Sequence, residues 1–246
     1  MLLIDTLREI SRWSHALFGF TGLVAFWFPV FARKGGRLHR VAGKVFVYSG
    51  YWVTVSAGFS CCLLGWKIRS GGARGLDPYA TVIFLAYLAW VTFVMLRYSI
   101  GVLRTKKDPT RLDTPGHRFL ANSALVASLS LVAIGLMLES QQKILLFALA
   151  PIGLTVGLPM RRYMRGDFET PRAWFYEHMS ATLGAGIAFH TAFAVFGASR
   201  IFTLPTSGLM SILPWLLPTL VGTPTLVLWR RHYRRKFGDL APRLAA

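Results

Sequence analysis

The side chains best suited to chemistry in this chain are two histidines and a carboxylate that share one apolar stretch, residues 173–199. His178 and His190 are two of the six histidines, and Glu177 is a carboxylate well inside the stretch. Ionisable groups within a membrane are costly and are usually functional. The stretch is also rich in glycine, alanine, serine and threonine, which let a helix or a flat cofactor approach the backbone closely. It is therefore the first candidate for a functional site.

The composition is that of a membrane protein. Of the 246 residues, 54% are hydrophobic and 15% are charged, with a mean hydropathy of +0.47, whereas soluble domains carry about 25% charged residues. The net charge of +18 suits either nucleic acid or a membrane surface. The basic residues lie between apolar blocks and are not interleaved with stacking aromatics, so no nucleic-acid partner is expected.

The apolar blocks predict an all-α protein, a polytopic bundle of seven transmembrane helices, because each block is long enough to cross a bilayer core of about 30 Å. A short amphipathic lead-in at 1–12 precedes the spans and a basic tail at 230–246 follows them. The first span lacks a small-residue cleavage site and is expected to be retained. The predicted spans are 13–32, 45–66, 79–103, 119–138, 144–160, 173–199 and 207–229.

Arginine and lysine are distributed unequally between the two sides of these spans. The loops 33–44, 104–118 and 161–172 and the tail together carry 20 of them, and the segments on the other side carry 7. Because basic loops stay in the cytoplasm, the N-terminus is expected outside and the C-terminus in the cytoplasm. This distribution predicts a protein of the bacterial cytoplasmic (inner) membrane whose basic tail lies on anionic lipid head groups.

The depth of four histidines suggests a cofactor site. His15 and His190 are expected toward the outer face, and His178 and His117 toward the cytoplasmic face. Imidazoles from two helices are what a membrane-bound haem b requires. However, His178 and His190 are separated by about 18 Å of rise and about 120° of rotation, which is unfavourable for two stacked haems. Another metal, a proton relay or substrate contact, and a structural role therefore remain open.

Arg97 and Glu177 are a second group of interest, since both fall in the cytoplasmic third of their spans. A buried charge needs a partner, so an Arg97–Glu177 ion pair is predicted. The alternative is that Arg97 extends to the cytoplasmic interface without a partner.

The loop 33–44 is a third candidate, for binding an anion or a lipid head group. Lys34, Arg37 and Arg40 surround two glycines whose amides could contact an anion. The loop lacks the spacing of a phosphate-binding loop, and a plain positive-inside hairpin is the alternative. His39 lies among these arginines and is expected to be solvated.

Several of these motifs resemble a family of bacterial polytopic membrane proteins of unknown function. The resemblance is carried by His15-x3-Gly19, by Lys34-Gly35-Gly36-x2-His39, and by Glu177-His178-Met179 with Thr191-Ala192-Phe193 in the sixth span. It covers the chain from the first span through the sixth. It implies a helical inner-membrane protein and brings no established activity.

Three hypotheses for function follow. The first is a membrane redox protein that binds haem or another metal through the histidines. The second is a small-solute or proton-coupled transporter that uses Glu177, Arg97 and His190 along a polar path. The third is a non-catalytic membrane subunit or assembly factor that packs its small-residue helix against a protein partner or a second copy.

Overall fold

The structure, a computed structural model, describes residues 2–168, 170–197 and 213–239 and is helical throughout, with no strand among those residues. The prediction of an all-α protein is confirmed for them. Short 3-10 turns lie at Asp77–Tyr79 and Pro109–Leu112. The helices are α1 Leu2–Phe31, α2 Arg37–Ser70, α3 Ala80–Arg104, α4 Pro115–Met137, α5 Lys143–Leu149, α6 Pro151–Met164, α7 Ala173–Ala192 and α8 Leu213–Lys236.

Six segments of the described chain are long and apolar enough to cross a membrane, counting α5 with α6 as one. These segments differ in how much of their apolar stretch is buried by the rest of the protein. The buried share is 56% for the segment that contains α3, but only 22% for α1 and 28% for α2. The segment that contains α3 is therefore the most buried of the six, whereas α1 and α2 leave large apolar side chains exposed.

Contacts divide the chain into two compact units. Unit 1 comprises residues 1–96 and 126–153, and unit 2 comprises residues 97–125 and 154–246. Unit 1 contains the antiparallel pair α1 and α2, most of α3, the second half of α4, and α5. Unit 2 contains the last turns of α3, the first half of α4, most of α6, and α7 with α8.

The turn between α1 and α2 is short because two glycines satisfy different backbone requirements. Gly35 has φ +75°, which L side chains rarely adopt. Gly36 is the N-cap residue of α2, and a Cβ there would lie 3.0 Å from the carbonyl oxygen of Arg33. Helix α2 consequently begins at Arg37, so most of the segment expected as the loop 33–44 is helical.

The helices extend beyond several predicted spans. The expected lead-in, apart from Met1 outside the described residues, is continuous with the first span in α1, and α2 continues to Ser70. The expected fifth span is two helices that meet at Pro151. Proline has no amide hydrogen and cannot continue the helical bonding of the preceding turn.

Tyr87 of α3 stabilises this break between α5 and α6. Its hydroxyl donates to the carbonyl oxygen of Ala150 at 2.7 Å and accepts from the amide of Gly153 at 2.7 Å. Ser128 of α4 donates to the same Ala150 oxygen. Two backbone groups at the break, the Ala150 carbonyl and the Gly153 amide, thus find partners on neighbouring helices, as buried backbone groups require.

The last two predicted spans differ from the structure at their ends. Helix α7 ends at Ala192 and continues as a π-helical turn, Phe193–Gly197. Residues 198–199 of the sixth span, 207–212 of the seventh and 240–246 of the tail lie outside the described residues. Helix α8 runs on from the seventh span into the tail as far as Lys236.

Candidate functional site

Helices α7 and α8 pack antiparallel along their length in unit 2. At one end the ring of Phe196 lies 5.5 Å from that of Trp215. At the other end Phe175 lies 5.2 Å from Tyr233. The two contacts are about 30 Å apart along α7 at the helical rise. This register places the end of α8 beside the first turns of α7, where Glu177 lies.

Glu177 is mostly buried, with 14% of its side chain exposed. The hydroxyl of Tyr98, on α3, donates to Oε2 at 3.0 Å. The guanidinium of Arg230, on α8, lies 3.8 Å from Oε1. Among the described residues, the carboxylate therefore has one hydrogen-bond donor and one loosely placed cation. This is weak compensation for a buried charge, since close charge-assisted bonds are about 2.7–2.9 Å long.

The predicted Arg97–Glu177 ion pair is not among the ion pairs of the described residues, and Arg230 takes that position. Arg97 instead lies near His117 of α4. Neighbouring residues on a helix point about 100° apart. Tyr98, not Arg97, is therefore the α3 side chain directed at Glu177.

Tyr163 of α6 adds an unpartnered hydroxyl to this cluster. The residue is 2% exposed, and its hydroxyl has no hydrogen-bond partner among the described residues. Its ring lies 6.1 Å from that of Tyr98 in an edge-on arrangement, and it interacts electrostatically with Glu177. Buried hydroxyls are nearly always hydrogen-bonded. The cluster of Tyr98, Tyr163, Glu177 and Arg230 thus has polar capacity for a water or a ligand group.

Two of the candidate histidines are oriented by backbone carbonyls in unit 2. Nδ1 of His178 lies 3.1 Å from the carbonyl oxygen of Ser99, and Nδ1 of His190 lies 2.7 Å from that of Gly186, one turn earlier in α7. A carbonyl oxygen only accepts, so Nδ1 carries the proton in both rings.

His117 and His15 have different surroundings. Nδ1 of His117 pairs with the hydroxyl of Thr114 at 2.8 Å, and a Cβ at Gly101 would lie 2.9 Å from Nε2. The ring therefore occupies the space that the glycine leaves. His15 belongs to unit 1, where Nδ1 pairs with the hydroxyl of Ser56 on α2 at 2.9 Å.

The surroundings of these four histidines show which of them could bind the expected haem or metal ion. The described part of the chain contains no group of three or more His, Cys, Asp or Glu side chains placed to hold a metal ion. Nε2 of His117 packs against the α3 backbone, which leaves no space there for a macrocycle. His178 and His190 fit better, because ligating histidines usually donate their other ring N–H to a carbonyl or carboxylate.

The basic turn is organised differently from the predicted anion site. Lys34 donates to the carbonyl oxygens of Pro29 at 2.8 Å and Val30 at 2.7 Å, so its ammonium caps the C-terminus of α1. Burial lowers the pKa of Lys34. His39, expected in solvent, contacts the Pro29 carbonyl oxygen as well. Arg37 and Arg40 lie in the first turns of α2 and are exposed.

The sequence patterns did not indicate Tyr98, Tyr163 or Arg230 as parts of a site. Arg230 was expected in the basic tail, because charge alone does not show that α8 continues past the apolar block. The available signal was Tyr98, which falls within a predicted span, since a buried tyrosine usually needs a polar partner.

No protein-family model, no curated protein and no solved structure matches this chain.

Proposed function

We propose that this chain is a seven-span protein of the bacterial cytoplasmic membrane, with its N-terminus outside and its C-terminus in the cytoplasm. The antiparallel pairing of α8 with α7 supports the seventh span, because α7 is itself apolar and long enough to cross a membrane. The unequal arginine and lysine counts support the orientation.

Within this bundle we propose that the Glu177 cluster belongs to a proton-coupled carrier of a small organic anion. The observation that carries this proposal is the buried Glu177 carboxylate, beside which the described residues place one cation, Arg230, at 3.8 Å. A proton on Glu177 removes the negative charge that attracts Arg230. The guanidinium then has capacity for a substrate carboxylate, which arginine binds in a two-pronged geometry. The hydroxyl of Tyr163 can donate to the same group.

The test is uptake by proteoliposomes that enclose a pH indicator. A panel of small carboxylates is added outside, and internal acidification is followed with the wild-type protein and with Glu177→Gln. We expect anion entry to acidify the interior with the wild-type protein and Glu177→Gln to abolish this coupling. Glu139→Gln, at an exposed carboxylate in unit 1, is the matched control and should behave as the wild-type protein. Unchanged coupling in Glu177→Gln would contradict the proposal.

A second candidate is haem b binding with His178 or His190 as one axial ligand. The observation in its favour is that both rings are fixed by Nδ1 bonds to carbonyl oxygens. A haem protein of this kind shows a Soret band and, after reduction with dithionite, a sharp α band. Loss of these bands in His190→Ala supports the candidate. A colourless wild-type protein produced with haem supplied eliminates it.

A further inference from the structure

An apolar groove lies between α1 and α2 in unit 1, with a volume of about 430 Å³. Its α1 wall is formed by Phe20, Val24 and Phe28, and its α2 wall by Leu38, Val41 and Val45. All six side chains are at least 40% exposed, so the groove is open along its length.

Two small residues give the groove its depth. Ala25 and Ala42 line it and are only 6% and 7% exposed. From Phe20 to Phe28 the groove runs about 12 Å along α1 at the helical rise. One leaflet of a bilayer core of about 30 Å contributes about 15 Å. The groove is therefore about as long as the hydrocarbon layer of one leaflet.

A stripe of cations flanks the α2 wall of the groove along most of its length. Arg37, Arg40 and Lys44 lie three and four residues apart on α2, and each precedes a groove-lining residue. All three are exposed, and none forms an ion pair with another described residue. The sequence has no acidic residue between Glu9 and Asp77. No ion pair among the described residues thus compensates the charge of this stripe.

We propose that this groove binds one anionic phospholipid, with an acyl chain between α1 and α2 and the phosphate on Arg37, Arg40 and Lys44. The cations supply the charge complementarity, and the apolar groove supplies the chain site beside them. This site uses no residue of the Glu177 cluster and does not depend on transport. Lys34 takes no part, because its ammonium caps α1.

The test is native mass spectrometry of the delipidated full-length protein titrated with phosphatidylglycerol or with zwitterionic phosphatidylcholine. We expect one phosphatidylglycerol to be retained and phosphatidylcholine to be lost. Arg37→Gln with Arg40→Gln should weaken phosphatidylglycerol retention by about tenfold or more, since each basic residue near a membrane surface contributes about fivefold. Lys67→Gln with Arg69→Gln, at the other end of α2, is the matched control and should leave retention unchanged.

A second variant separates the chain site from the head-group site. Val24→Trp fills the groove from an exposed position, and Val55→Trp places the same bulk at an exposed position of α2 that does not line the groove. We expect only Val24→Trp to abolish retention. Equal retention of the two lipids, or retention of phosphatidylglycerol by Val24→Trp, would overturn the proposal.

Discussion

His39 donates from Nδ1 to the carbonyl oxygen of Pro29, 3.2 Å away across the turn between α1 and α2. Lys34 donates to the same oxygen and to that of Val30. The last carbonyls of a helix have no partner within it, so these two side chains complete the C-terminus of α1. The motif Lys34-Gly35-Gly36-x2-His39 is therefore explained by the geometry of a helical hairpin.

The first prediction concerns Gly35. Gly35→Ala should destabilise the protein by about 1 kcal/mol, because alanine at φ +75° meets the steric penalty of left-handed backbone. The measurement is the thermal unfolding midpoint of the detergent-solubilised protein.

Gly58 provides the matched control for Gly35. It lies within α2, and beyond its chain neighbours and the backbone of its own helix no atom lies within 4 Å of the position that a Cβ would take. Gly58→Ala should therefore be neutral or stabilise by about 0.5–1 kcal/mol. Equal effects of the two substitutions would show that the turn does not require its glycine.

The second prediction concerns Tyr87. Tyr87→Phe should destabilise the protein by about 1–3 kcal/mol, because it leaves the buried amide of Gly153 without an acceptor. Chemical unfolding in detergent measures the loss. Tyr48→Phe, at a tyrosine that is 68% exposed, is the control and should have little effect. A similar small change in both would mean that the break at Pro151 is stable without the Tyr87 hydroxyl.

The third prediction concerns pH and the end of α8. The Asp239 carboxylate accepts from the Tyr176 hydroxyl at 2.7 Å and from Arg172 at 2.9 Å. The hydrogen bond from Tyr176, followed by those from Thr170 and Arg172, lowers the pKa of Asp239. Because folding lowers the pKa of this carboxyl, the stabilisation that the Asp239 carboxylate contributes is fully present above the pKa of aspartate in the unfolded chain, about 3.9. The stabilisation is then lost as pH falls through the folded value.

The measurement is the difference in Tm between the wild-type protein and Asp239→Asn across pH 2.5–7. The difference should be constant at neutral pH and shrink below about pH 4. Asp167→Asn removes a carboxylate that is 69% exposed and should show little difference at any pH. A difference for Asp239→Asn that persists or grows at pH 2.5 would contradict the assignment.

Apolar block length predicts the helical class of this protein well, because a bilayer requires about 20 apolar residues per helix. It does not predict where helices end. Arg37 and Arg40 mark a loop by charge, yet they are helical because Gly36 starts α2 there. The break at Pro151 depends on Tyr87 and Ser128, which come from distant helices.

The candidate site was likewise only partly predictable from the sequence. Glu177 is conspicuous in the sequence because carboxylates are rare within apolar stretches. Its partner could not be predicted, since the choice between Arg97 and Arg230 depends on helix rotation and on the register of α8 against α7. An error of one residue in the predicted register of a helix changes the direction of a side chain by about 100°. That error is enough to make Arg97, instead of Tyr98, the predicted α3 side chain that faces Glu177.

The charges of the turn between α1 and α2 make the orientation of the hairpin sensitive to the membrane potential. Together with the flanking turns of α2 it carries five cations and no acidic residue. Moving a charge against a membrane potential costs about 2.3 kcal/mol per 100 mV. In the proposed orientation, inverting the hairpin would cost on the order of 10 kcal/mol at such a potential. An energised membrane would therefore strongly favour one orientation of the inserted hairpin.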